Sequence, residues 1–141
     1  KGARRRGLYL NRKGENLLMK TIHTAKAPEA IGPYSQAIVH GGLLFTSGQI
    51  AINPASGQVE ADTIEGQTEQ VMQNLAALLE EAGASFDSVI KTTCFLSDMA
   101  DFAAFNAIYG DYFVSKPARS CVAAKQLPKN VLVEVELIAA V

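Results

Sequence analysis

Seven polar side chains break the apolar or turn-forming patterns of this chain: Tyr34, Ser47, Asn106, Arg119, Cys121, Glu134 and Glu136. Arg119 stands two residues after Pro117, where a strand-like run begins, so a stiff backbone presents it. A guanidinium held that way suits bidentate capture of a carboxylate. It would serve a surface or intersubunit salt bridge equally well. Glu134 lies between Val133 and Val135. Desolvated there, its pKa would rise and it could act as a general acid or base. On a wet sheet edge it would be an ordinary solvated glutamate.

The remaining candidates read as follows. Tyr34, in "GPYSQ", is either a loop aromatic plugging the core or a site residue. Ser47-Gly48 closes a strand where glycine lets a ligand approach the backbone. Asn106 falls inside a helical pattern, where a local hydrogen bond is the simpler expectation. Cys121 alternates onto the face of Arg119; with no histidine near it in sequence, inert packing is expected. His23 and His40 fall on different strands with nothing at metal-ligand spacing around them. No Walker loop, GxGxxG, GxSxG or HExxH occurs, so neither a metal nor a cofactor is expected.

The elements that must position these groups are legible from periodicity. In "VLVEVELIAAV", Val131, Val133, Val135 and Leu137 point to one face and Leu132, Glu134, Glu136 and Ile138 to the other. The first face is core; the second mixes acids with Leu and Ile, as a partly covered polar surface would. "MKTIHT" reads as a first strand and "QAIVHGGLLFTSGQI" as a hairpin turning at Gly41-Gly42. A helix follows, capped by Asp62 with Glu65 three residues on, carrying the stripe Val71, Leu75, Leu78, Ala82, and ended by Gly83. "SVIKTTCFL" is a strand. A second helix over about 98–113 buries Phe102, Phe105, Tyr109 and Tyr112, and strands over about 119–126 and 131–140 close the chain. The order β-β-β-α-β-α-β-β predicts an α/β (α+β) domain over 19–141, mostly antiparallel, with both helices on one sheet face. Two helices cannot cover both faces, so the Leu/Glu/Glu/Ile side is expected to meet another subunit or a ligand.

Composition narrows the class. Hydrophobic residues make up 48% and charged residues 19% of 141, enough for one core and too few residues for two domains. No apolar run is long enough to span a bilayer. Two lone cysteines suit a reducing, cytoplasmic setting rather than a disulfide framework. Residues 1–18 carry six cations against Glu15 alone, a balance of +5 in a chain of net charge −1, so the rest sums to −6. The basic segment is read as upstream or tag-like, with Met19 as the working start, in preference to an RNA- or membrane-binding arm. The acidic remainder argues against nucleic acid as a partner.

Five stretches in order resemble the RidA/YjgF family, also known as the endoribonuclease L-PSP or reactive intermediate deaminase family. They are "AIGPYSQA", "FTSGQI", "LEEAGASFDSVIKTTCFLSDMADFAAFNAIYGDYF", "KPARSCV" and "LPKNVLVEVELIA", spanning most of 19–141. The resemblance implies a chorismate-mutase-like fold and a homotrimer packed around a central β-barrel, with sites in the clefts between subunits. By the same resemblance Arg119 matches the arginine that binds the substrate carboxylate, and Glu134 the acid that holds or activates water. Tyr34 and Ser47 join them in the expected catalytic set; Gly48, Asn106 and Cys121 join Arg119 in the substrate-binding set. Glu136 matches no role. The implied reaction is hydrolysis of 2-imino or enamine acids, such as 2-iminobutanoate and 2-iminopropanoate, to 2-keto acids and ammonia. Two other readings stand beside it: a non-catalytic protein holding a small carboxylate at the same arginine, and a translation-inhibiting endoribonuclease. The acidic body and the lack of a histidine pair count against the latter.

Overall fold

The alternation of the last strand dictates the architecture. In the computed structural model, which describes residues 18–141, β8 (Val133–Ala140) buries Val133, Val135, Leu137 and Ala139 at 2% exposure or less. It lies in the middle of a six-stranded sheet, ordered β1-β2-β3-β8-β6-β7. The other members are β1 (Lys20–Ile22), β2 (Ala37–His40), β3 (Leu43–Thr46), β6 (Val89–Leu96) and β7 (Ala118–Ala123). All pairings are antiparallel except β6 with β7, the two strands that a helical crossover joins. A small separate hairpin, β4 (Ile52–Asn53) with β5 (Gln58–Val59), flanks the sheet. The basic segment 1–18 lies outside the described residues except for Leu18.

Both helices, α1 (Ile64–Glu81) and α2 (Phe102–Tyr112), cover the same sheet face, as the order of elements implied. Val71, Leu75 and Leu78 of α1 are fully buried against that face, with Phe105 of α2 beside them. Asp62 does not cap α1. Thr63 does: its backbone is extended, and its Oγ1 accepts from the Gly66 N–H at 3.1 Å. The cap must be the last non-helical residue, and Asp62 stands one position too far out. At the other end Gly83 takes φ +75°, and the Ala84 N–H reaches back to the Leu79 carbonyl, closing the helix in a Schellman motif. The second helical segment opens with a 3-10 turn, Met99–Asp101, capped by Asp98. Of its four aromatics, Phe105 and Tyr109 are buried, while Phe102 and Tyr112 are half-buried at the rim.

The last strand begins at Val133 rather than Val131. Val131 is buried, but in a satellite cluster with Ile50, Ile52 and Leu127. The face away from the helices is open: Phe45 is 42% and Val122 50% exposed. Three buried amides pin the loops that border this open side. Gln36 binds the Thr24 N–H and the Thr24 and Pro28 carbonyls, Asn74 donates to the Ile50 and Ile52 carbonyls, and Gln67 accepts from the Leu132 N–H. Such loops would otherwise hold unpaired buried backbone N–H and carbonyl groups.

Candidate functional site

Apart from Asn106 and Cys121, the candidate residues line two clefts. The first, about 480 Å³, opens on the uncovered sheet face and is lined by Tyr34, Ser47, Gly48 and Glu134, with Glu29 and Glu136 also at its walls. It exists because β3 leaves the ladder at Thr46 and its chain rejoins β8 three residues later. There Gln49 and Val135 exchange both backbone hydrogen bonds, at 2.8 and 3.1 Å. The gap between puts Gly48 against the Glu134 side chain. A Cβ on Gly48 would lie 2.9 Å from both Cδ and Oε1 of Glu134, so any larger residue would push the carboxyl aside. Ser47 Oγ donates to the Ser35 carbonyl at 2.6 Å, and Tyr34 Oη accepts from the Ile31 N–H at 3.1 Å. Tyr34 is therefore a half-exposed loop aromatic on the cleft rim, not a core plug.

Glu134 has no hydrogen-bond partner among the described residues. Burial pushes its pKa up, and the neighbouring Glu136 carboxylate pushes it further the same way. A carboxyl so placed can hold a proton closer to neutrality than an exposed one and pass it on.

The second cleft, about 440 Å³, lies at the end of α2 between Tyr109, Phe113, Val114, Lys116, Pro117 and Arg119. Arg119, the only arginine beyond Arg12, is half-buried there. Its Nη1 donates to Asn106 Oδ1 at 2.7 Å, and its Cζ sits 4.7 Å from the Tyr109 ring centroid. No carboxylate pairs with it among the described residues. The surface salt bridge that the sequence left open is thus absent among the described residues. Asn106 does not bond locally inside its helix; it reaches across to β7, a contact only the tertiary fold supplies. Cys121 packs beside Cys94 on the helix side of the sheet. Burial raises the thiol pKa of each, that of Cys94 to about 12, so both are poor nucleophiles at neutral pH.

The two clefts do not meet within one chain. Arg119 is the register partner of Thr92, which is fully buried under the helices. Glu134 is the register partner of Phe95, whose side chain points the opposite way and packs on the satellite cluster. The guanidinium and the carboxyl therefore project from opposite faces of the sheet.

Sequence reasoning had missed Gln67 and Asn74 as loop anchors, although they fall on the apolar stripe of α1 with Val71 and Leu78. A polar residue on such a stripe was the available signal. It had also read Tyr109 as core alone. The tyrosine is that, but it also shares a 2.6 Å hydroxyl contact with Thr92 and underlies Arg119. Among the described residues no three His, Cys, Asp or Glu side chains gather closely enough to hold a metal ion, and no helix is long and apolar enough to cross a membrane.

The model of the family described as endoribonuclease L-PSP matches residues 24–141. A Lactococcus lactis protein named as a candidate regulator, AldR, is 56% identical over 124 residues, covering 87% of this chain and 98% of that protein. The 2-iminobutanoate/2-iminopropanoate deaminase of Escherichia coli strain K12 is 45% identical over 126 residues, covering 86% and 98%. The crystal structure of E. coli TdcF with bound serine superposes with a TM-score of 0.82 at 41% identity, covering 86% and 98%. Motifs, fold and relatives agree: the chain belongs to the endoribonuclease L-PSP family, the RidA/YjgF family.

Proposed function

We propose that the protein hydrolyses 2-imino acids, or their enamine tautomers, to 2-keto acids and ammonia, with 2-iminobutanoate and 2-iminopropanoate as fitting substrates. The observation that carries this reading is a pair of complementary charged groups, each without an ionic partner among the described residues. Arg119 offers a guanidinium with one hydrogen bond made, and Glu134 a carboxyl whose pKa is raised. A small carboxylate fits the planar fork of the first. The second, beside Ser47 and Gly48, suits holding a water over the imine carbon and exchanging protons with it. Water adds to the C=N carbon, nitrogen is protonated, and the C–N bond breaks to release ammonia and leave the carbonyl. Imines already hydrolyse in water, so positioning the carbon against one water supplies most of what is needed. No step requires a metal or cofactor. The name of the E. coli relative and the serine bound to TdcF, a ligand with an α-carboxylate, agree with this chemistry.

Because Arg119 and Glu134 project from opposite sheet faces, one ligand can touch both only if two chains contribute. A homotrimer closing its open sheet faces around a central barrel would do so: the cleft holding Arg119 and Lys116 meets the acidic cleft holding Glu29, Glu134 and Glu136 of the next chain. Two free thiols suit the reducing cytoplasm. The test couples the purified protein to an amino-acid dehydratase or oxidase and follows imine decay against a protein-free blank. Accelerated decay is expected; decay at the blank rate contradicts the proposal. A second reading, a sensor that binds a small carboxylate without turning it over, is favoured by the name of the L. lactis relative. It predicts keto-acid binding at Arg119 with decay at the blank rate.

A further inference from the structure

Arg119 would be a poor anchor if its side chain were free to swing, yet its cleft contains a device against that. The guanidinium lies over the Tyr109 ring at 4.7 Å and near that of Phe102 at 5.5 Å, and its Nη1 donates to Asn106. Tyr109 is itself fixed on two sides. Its ring stacks on Phe113 at 4.3 Å and 29°, and its hydroxyl lies 2.6 Å from Thr92 Oγ1. Tyr109 is 8% exposed and Thr92 fully buried. Burying two hydroxyls costs solvation that a phenylalanine and a valine would not lose. In return, the pair holds the ring in one orientation from the sheet beneath it.

We infer that Tyr109, locked by Thr92, is a positioning residue for Arg119: the ring face fixes the plane of the guanidinium and Asn106 fixes one edge, which leaves the other edge for a ligand carboxylate. The inference rests on the carboxylate-anchor reading given above. An arginine ordered before the ligand arrives loses less side-chain freedom on binding. The carboxylate is held alike in the ground state and the transition state. Loss of the ring should therefore weaken binding and raise KM while kcat changes little.

The test measures 2-ketobutyrate affinity by NMR titration, together with KM and kcat for 2-iminobutanoate, in Tyr109→Phe, Tyr109→Leu and Arg119→Ala proteins and in the Tyr109→Leu/Arg119→Ala double variant. Tyr109→Phe keeps the ring face and should weaken affinity by about threefold at most. Tyr109→Leu should weaken it by about tenfold, with kcat within about twofold of the parent. In the Arg119→Ala background the leucine should add nothing, because the group it positions is gone. Equal weakening by Tyr109→Leu in both backgrounds would overturn the inference and leave Tyr109 a core residue only. Should Tyr109→Leu not fold, pentafluorophenylalanine at position 109 keeps the shape and reverses the ring quadrupole; affinity equal to that of Tyr109→Phe would then overturn it. If Arg119→Ala by itself leaves keto-acid affinity unchanged, the anchor reading fails first, and that outcome differs from either of the others.

Discussion

Arg119 reaches its cleft through two aromatic rings and an amide, whereas Glu134 reaches its own with no hydrogen-bond partner among the described residues. The guanidinium is held on a face and an edge. The carboxyl is held only by packing, against the bare backbone of Gly48. The difference follows the chemistry proposed for each. An anchor works by staying in one place, and an acid–base group works by exchanging a proton, which a saturated hydrogen-bond shell would oppose.

Substitution at the two charged groups should therefore fail in two ways. Arg119→Ala removes two charge-assisted hydrogen bonds of about 1.5–3 kcal/mol each, which is ~100-fold or more in kcat/KM. Arg119→Lys should recover only part, since a point charge lacks the planar fork. Glu134→Gln should lower kcat by a comparable factor while 2-ketobutyrate affinity stays near that of the parent. Steady-state kinetics alongside a binding titration separates the two. Identical losses of binding in both variants would erase the distinction between anchor and acid.

Gly48→Ala tests the packing side of the comparison. Its methyl carbon would sit 2.9 Å from the Glu134 carboxyl, so the acid must shift while Arg119 stays undisturbed. We expect about tenfold lower kcat, with keto-acid affinity unchanged. A fully active alanine variant would show that the position of Glu134 does not matter.

A smaller effect is expected at the first helix. Thr63→Ala should lower stability by about 1 kcal/mol, measured by urea unfolding at fixed protein concentration. Asp62→Ala should cost little, because Thr63 Oγ1 supplies the cap. The reverse ranking would return the cap to Asp62.

Smallest is the pH dependence of stability from Glu134. Its folded pKa is raised by burial and then by Glu136 above the ordinary 4.5. The folded state thus binds the proton more tightly than the unfolded chain. The associated stability is fully present below the unfolded value and is lost as pH rises through the folded one. Parent protein should lose stability relative to Glu134→Gln as pH rises above the ordinary carboxylate value of 4.5. Parallel curves for the two proteins would mean the carboxyl is not desolvated.

How far the sequence reveals this arrangement depends on the range of the interactions involved. Val133, Val135 and Leu137 declare the buried face of β8 because alternation is local. Gly83 ends α1 where a positive φ is needed, and the turn at Gly41 and Gly42 joins β2 to β3. The cap was misplaced by one residue because Asp62 and Thr63 are both capable caps, and only the backbone decides between them. The partner of Asn106 was not legible: it depends on α2 lying across β7, a contact set by packing. Nor was the opposition of Arg119 and Glu134. Alternation within each strand is local, but relating the faces of two strands needs the parallel β6–β7 register and the antiparallel β6–β8 register together. The short β4–β5 hairpin is not legible in the sequence either, since two-residue strands carry no periodicity.

The central claim is that Arg119 and Glu134 act on one ligand from different chains. Co-refolding Arg119→Ala with Glu134→Gln in equal amounts tests it most directly. In a cyclic trimer each interface takes its arginine from one chain and its glutamate from the next, so random mixing makes about one interface in four intact. The account predicts that imine hydrolysis returns to about a quarter of the parent rate, from two proteins that are each nearly inactive alone. Activity no higher than the average of the separate variants, in mixed oligomers verified by mass spectrometry, would contradict a shared site.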